Sequence, residues 1–239
     1  MVKKKSLKSI NQLQFRPKAS IHKSVQVKLN VLIVCEGEKT EPQYFKHFNN
    51  IVIGDWIYTI NCKGGRMNTI QVVEKAIELR DKAKKTNKPY DSVWAVFDKD
   101  DFPAKDFNDA IRLAEKNDIG CAWSNEAFEL WYVLHFENRT SPTVRNNYAS
   151  IINKHINKAK PKSEKKYEYE KNDDGIGLLL QKYGSEEKAI NYAEALDNFY
   201  TDNAYSNHNP CTTVYKLIKL LRGKDKEFIA KLKKDMNKK

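Results

Sequence analysis

Three of the four strand-like stretches in this chain are apolar runs that stop on, or lead straight into, carboxylates. "VLIVCEGEKTE" at 31–41 is nearly all apolar until Glu36, with Glu38 and Glu41 close behind. "DSVWAVFDKDD" at 91–101 ends on Asp98, Asp100 and Asp101, and "IGCAWS" at 119–124 leads to Glu126. Short continuous apolar runs rich in β-branched residues are strands buried on both faces. "WIYTINCKG" at 56–64 adds a weaker, alternating strand that Gly64 and Gly65 close. Helical patterns lie between the strands. From Asn68, Ile70, Val73 and Ile77 share one face, and "AKDFNDAIRLAEKN" forms a helix that closes at 118–120. Residues 30–137 therefore read β-α-β-α-β-α-β-α. Alternation at this spacing predicts an α/β fold, a mostly parallel sheet flanked by helices.

The flanks differ in character. Residues 1–29 form a basic N-terminal arm: the first 30 positions hold no Asp or Glu but carry Lys3, Lys4, Lys5, Lys8, Arg16, Lys18, Lys23 and Lys28. Residues 138–239 form an α-helical C-terminal extension. There "IGLLLQKYG", "EEKAINYAEALDNFY" and "NPCTTVYKLIKLLRG" read as amphipathic helices and 158–174 as a loop. The net charge of +12 suits a polyanionic partner, nucleic acid above all. Cys35, Cys62, Cys121 and Cys211 form no CxxC pair, which speaks against a structural zinc site or a disulfide framework. No apolar run is long enough for a bilayer, and no apolar core follows the first lysines. A cytoplasmic protein without a membrane partner is expected.

Parallel strands point the same way, and groups at their carboxyl ends face one rim of the sheet. Glu36, Asp98, Asp100 and Glu126 are thereby placed together. Such acids repel one another, and a divalent cation relieves that repulsion. Mg²⁺ (or Mn²⁺) takes a few hard carboxylate oxygens and keeps sites for water and phosphate. On extended backbone the side chains of Asp98 and Asp100 point the same way. Acids at strand ends also serve as loop starters and helix caps, and only the joint occurrence favours a metal site.

"LIVCEGEKTEPQYF", "VWAVFDKDDF" and "WSNEAFELWYVLHF" resemble the Toprim domain in the version carried by RloB-like and AbiLii-like proteins. "NPCTTVYKLIKLL" is similar to the C-terminal segment of the RloB-like branch, so the resemblance spans about 30–221. It implies a Toprim-like (Rossmann-like) catalytic domain at 30–137, with Glu36 as the first-strand glutamate and Asp98 and Asp100 as the DxD pair. By the same resemblance the chain is expected to be a Mg²⁺-dependent endonuclease, with RNA and possibly tRNA favoured over DNA. It would act in antiphage defence or abortive infection, beside an SMC/ABC- or AAA-type ATPase, possibly as a homo-oligomer.

Glu126 would support a second ion or order its waters, while Glu38 and Glu41 are weaker candidates. Lys39, Lys63, Arg66 and Lys99 are candidate contacts to nucleic-acid phosphate. His135 is a possible acid for the leaving oxygen, although a histidine on an aromatic helix face is more often packed core. The alternative to catalysis is a regulatory module that binds nucleic acid or nucleotide for a partner ATPase without cutting. A primase-like activity is disfavoured, because no zinc-binding motif or nucleotide-binding insertion accompanies the core.

Overall fold

The computed structural model describes residues 27–48, 52–53 and 56–236. Most of the basic arm lies outside them. The chain runs β1 (Val27–Cys35), α1 (Thr40–Lys46), β2 (Val52–Ile53), β3 (Trp56–Gly64), α2 (Thr69–Lys85), β4 (Ser92–Asp98), α3 (Ala104–Lys116), β5 (Gly120–Asn125) and α4 (Glu129–Leu134). The extension follows as α5 (Tyr148–Ala159), α6 (Ile176–Tyr183), α7 (Glu186–Phe199), β6 (Cys211–Thr212), α8 (Val214–Leu221) and α9 (Lys226–Met236).

Among the described residues the sheet has six strands, in the order β2-β3-β1-β4-β5-β6. β3, β1, β4 and β5 are parallel, and the two-residue strands β2 and β6 close the edges antiparallel. The central strands are apolar on both sides because both faces are covered. Leu32 and Val34 of β1 pack with Val72, Val73 and Ala76 of α2 and Phe107 and Ala110 of α3. Val31, Ile33 and Cys35 face the other way, into a cluster with α1, α4 and the extension helices. The period of two along β1 thus divides the molecule into two layers of helices around one sheet.

The expected α/β fold, a mostly parallel sheet flanked by helices with a helical C-terminal extension, is the observed one. One segment of the extension differs from the sequence reading. "NPCTTVYKLIKLL" is not helical from its start: Cys211 and Thr212 pair with Asn125 and Ser124, and α8 begins only at Val214. The hydroxyls explain this. Ser124 Oγ and Thr212 Oγ1 share a hydrogen bond of 2.9 Å, and Thr213 Oγ1 accepts the Trp123 amide at 3.0 Å, so side chains extend the pairing with β5.

The stretch 160–175 has no helix or strand, in keeping with a loop, but it is held tightly. Asn157 bonds both the amide and the carbonyl of Tyr167, at 2.7 and 2.8 Å, and Asn153 Oδ1 accepts the Tyr169 amide at 2.6 Å. Thr40 Oγ1 donates to the Lys171 carbonyl at 2.6 Å. The segment forms a strap from α5 to the start of α1. Among the described residues no helix is long and apolar enough to cross a membrane. All four cysteines are free, with Cys35 Sγ and Cys62 Sγ 3.6 Å apart on neighbouring strands.

Candidate active site at the sheet switch point

The sheet order fixes where a site can open. From β1 the chain leaves toward β3 on one side, and from β4 toward β5 on the other. The crevice lies where those directions part, at the carboxyl ends of β1 and β4. Glu36 and Asp98 stand at those two ends. The Glu36 amide donates to the Val96 carbonyl at 2.9 Å, and its carboxylate Oε2 accepts the Asp98 amide at 3.2 Å. Main chain and side chain together therefore lock the two strand ends in register.

A cleft of about 340 Å³ opens there, and Glu36, Glu38, Lys39, Glu41, Arg66, Asp98, Glu129, Arg145 and Lys171 are among its lining. Its floor is acidic and largely dry: Asp98, Glu41 and Glu129 are only 4–5% exposed. Glu41, in the first turn of α1, folds back so that its carboxylate accepts the Gly37 amide as well as its own. A Cβ at Gly37 would overlap that carboxylate, so the glycine leaves room for Glu41 to lie inward. Tyr169, on the strap, donates its hydroxyl to Glu129 Oε1 at 3.1 Å.

Burial dominates the electrostatics. It raises Glu36 to about 7; the Asp98 amide and Arg145 pull the other way, and Glu41 adds to the rise. Glu41 also rises to about 7, through burial and the nearby Glu129, opposed by its amide contacts and Arg145. Asp98 stands well above the carboxylate range because it is buried and faces Glu41, Glu129 and Glu36. Arg145 is the cation that opposes the rise in all three. Its guanidinium pairs with Asp100 and lies 3.8 Å from Asp98 Oδ2.

The predicted acids are thus brought together in part. Glu36 and Asp98 meet at the crevice. Asp100 meets Asp98 by a route other than the expected one: β4 ends at Asp98, and Asp100 has φ 38°, a left-handed turn. Its amide donates to the Glu126 carbonyl at 3.2 Å, and its carboxylate reaches Arg145. The pair share one guanidinium because of a turn, not because of strand alternation. Glu126 follows a cis Asn125–Glu126 peptide, and its side chain does not line the cleft. Glu41 and Glu129 do line it.

The predicted cations also divide. Lys39 and Arg66 line the cleft, Arg66 with its side chain 88% exposed and 3.5 Å from Glu38. Lys63 is exposed at the end of β3 and does not line it. Lys99 folds into its own loop, donating to the Phe102 carbonyl at 2.6 Å and the Asp100 carbonyl at 3.2 Å. His135 is buried, donates from Nδ1 to the Trp131 carbonyl at 2.9 Å and packs edge-on against that indole. It lies outside the cleft lining, and burial lowers it to about 4.

The donor chemistry fits Mg²⁺ or Mn²⁺, since the oxygens are hard carboxylates lining one cleft. Asp98 Oδ1 is buried without a hydrogen-bond partner, as are the hydroxyls of Tyr132 and Tyr148. An orphaned carboxylate oxygen is costly unless something pairs with it. Among the described residues, no three His, Cys, Asp or Glu side chains converge as a ready ligand set. In this arrangement Arg145 supplies the positive charge.

A doubly wound α/β sheet with an acid-lined crevice at its switch point defines the class. The chain belongs to the RloB-like family: that family's model, described as RloB-like protein, matches residues 31–221. The match begins within β1 and ends at the last residue of α8. No curated protein and no solved structure was found to match.

Proposed function

We propose that this protein is a Toprim-type, Mg²⁺- or Mn²⁺-dependent nuclease that cleaves phosphodiesters, RNA and possibly tRNA in preference to DNA. Its setting would be antiphage defence or abortive infection, with a partner ATPase controlling it. The observation that carries the reading is the meeting of Glu36 and Asp98 at the switch-point crevice, beside a second pair of buried acids. Resemblance to the AbiLii-like and Toprim proteins supports the choice of reaction.

In this reading Glu36, Asp98 and Asp100 would hold the ion. When bound, the ion supplies Lewis-acid neutralisation of the charge that grows on the phosphate oxygens. The chain does the rest. Lys39, Arg66 and Lys171 border the opening and draw in the polyanion, and the floor excludes water. Glu41 and Glu129 deepen the negative field that selects a cation for the site. Glu36 sits where a proton acceptor for the attacking hydroxyl or water is needed.

The test is end mapping of total RNA from cells expressing the wild type or Asp98→Ala/Asp100→Ala. Discrete breaks that vanish in the variant support the reading, and breaks that persist overturn it. Intact RNA with fragmented DNA would move the substrate to DNA.

A second reading, a regulatory module that does not cut, draws on one observation: Arg145 already lies against both acids of the pair. It requires that Glu36→Gln keep both partner binding and toxicity. Loss of toxicity with partner binding retained would sink it.

A further inference from the structure

The cleft gathers several buried or half-buried acids around one guanidinium. Glu36, Glu41, Asp98 and Glu129 line it, and Asp100 stands at its edge. Arg145 reaches this rim from the helical extension, on a 3-10 turn at 145–147 just ahead of α5. Its side chain is 26% exposed, so it is seated on the acids yet open to solvent along one side. The exposed Val144 precedes the turn, and among the described residues no backbone hydrogen bond joins 145–147 to the sheet rim.

Two properties of this contact matter. First, one guanidinium lies against both carboxylates of the pair expected to hold the ion, so a divalent cation entering at Asp98 and Asp100 meets a positive charge already in place. Like charges a few ångströms apart in a dry site repel strongly. Second, guanidinium is a planar fork that pairs with phosphate as well as with carboxylate, and keeps its charge throughout. A guanidinium released from Asp98 and Asp100 while its turn stays fixed remains beside the crevice, next to Lys171 and Arg66 on its lining.

We infer that Arg145 is an internal counter-ion that a divalent cation displaces from the Asp98–Asp100 pair and that then engages the substrate phosphate. Metal uptake and substrate binding are thereby coupled through one side chain. The ion frees the guanidinium, and the phosphate gives it a new partner. Without the ion, Arg145 stays on the acid pair and is withheld from nucleic acid. The inference rests on the proposed metal-dependent reading and adds the residue that links its two ligands.

The test uses the full chain and Mn²⁺ alone, titrated by calorimetry in mildly alkaline buffer, for the wild type, Arg145→Gln and Arg145→Lys. Arg145→Gln is expected to bind Mn²⁺ about tenfold more tightly, the effect of removing about 1.4 kcal/mol of competition. Arg145→Lys, which keeps a charge but loses the fork, is expected to fall between them and guards against a folding defect in the first variant. A residue with a purely structural role would show the opposite, weaker binding on substitution. A second titration adds a phosphorothioate oligonucleotide to the Mn²⁺-loaded proteins, where Arg145→Gln should bind about tenfold more weakly than wild type. Equal or weaker Mn²⁺ binding in Arg145→Gln, with measurable binding in the wild type, overturns the inference and leaves the nuclease reading standing. Absence of Mn²⁺ binding in all three proteins overturns the metal-dependent reading itself, and the inference with it.

Discussion

The amide of Asp98 donates to the carboxylate of Glu36 across 3.2 Å, so one glutamate both lines the crevice and ties β4 to β1. A substitution at this position can separate the two roles. Glu36→Gln keeps an oxygen to accept the amide and loses only the charge. It is expected to fold normally and to lose activity by about 10²- to 10⁴-fold, the range for a positioned acid or base. Glu36→Ala also cuts the tie between the strands and should melt lower. Thermal melts beside a cleavage assay check both, and a Glu36→Gln protein with full activity would remove Glu36 from the chemistry.

Tyr44 and Trp131 offer a test of the packing beneath the site. The indole Nε1 donates to the Tyr44 hydroxyl at 2.7 Å, joining α4 to α1 in the fully buried layer. Tyr44→Phe leaves the indole N–H without a partner and is expected to cost about 1–3 kcal/mol of stability. Urea unfolding measures this. A neutral result would mean that the indole finds another acceptor.

His135 gives the protein a pH dependence of known sign. It is neutral and buried in the fold and lowered to about 4, against 6.5 for the free side chain. Between those values the unfolded chain takes up a proton that the folded one refuses, so this contribution to stability is full above pH 6.5 and is lost as pH falls. The slope is about 1.4 kcal/mol per pH unit within the window. Glu36 and Glu41 act oppositely: raised to about 7, they favour the fold at low pH and lose that contribution as pH rises through 7. The difference between wild type and His135→Gln isolates the histidine. Denaturant midpoints from pH 7 to about 4.5 should fall more steeply for the wild type.

Arg66 is a test of the polyanion surface. Its side chain is almost fully exposed at the cleft mouth and holds only a loose pair with Glu38. Such a pair contributes little to stability. Arg66→Ala is expected to leave the melting temperature unchanged, weaken nucleic-acid binding at all sequences alike, and lower the salt dependence of binding by about one phosphate contact. Fluorescence anisotropy across a salt series reads this directly.

The strand ends were legible in the sequence because burial on both faces writes itself as an uninterrupted apolar run, and a carboxylate marks where the run leaves the core. Glu36 and Asp98 follow from that alone. Glu41 is a weak candidate by sequence because an acid in a first helical turn is common for reasons of helix polarity; the lack of a Cβ at Gly37, which lets its carboxylate fold inward, is a fact of packing. Glu129 opens a six-residue helix whose every residue is buried, so no amphipathic stripe sets it apart. Arg145 lies in a polar stretch with no period, and its partners are about 45 residues upstream. No local pattern carries that information. β6 was hidden for another reason: two residues are too few to show alternation, and the hydroxyls that hold it also suit a helix start.

The strap and Arg145 have a bearing on synthesis. The acids of the crevice are all made by residue 129, whereas the guanidinium that balances them comes at residue 145 and the strap's Tyr169 and Lys171 later still. A nascent chain that has emerged only through β5 and α4 therefore exposes its carboxylates without the Arg145 guanidinium and without the strap. The rim becomes a finished surface only after the ribosome has moved well into the extension.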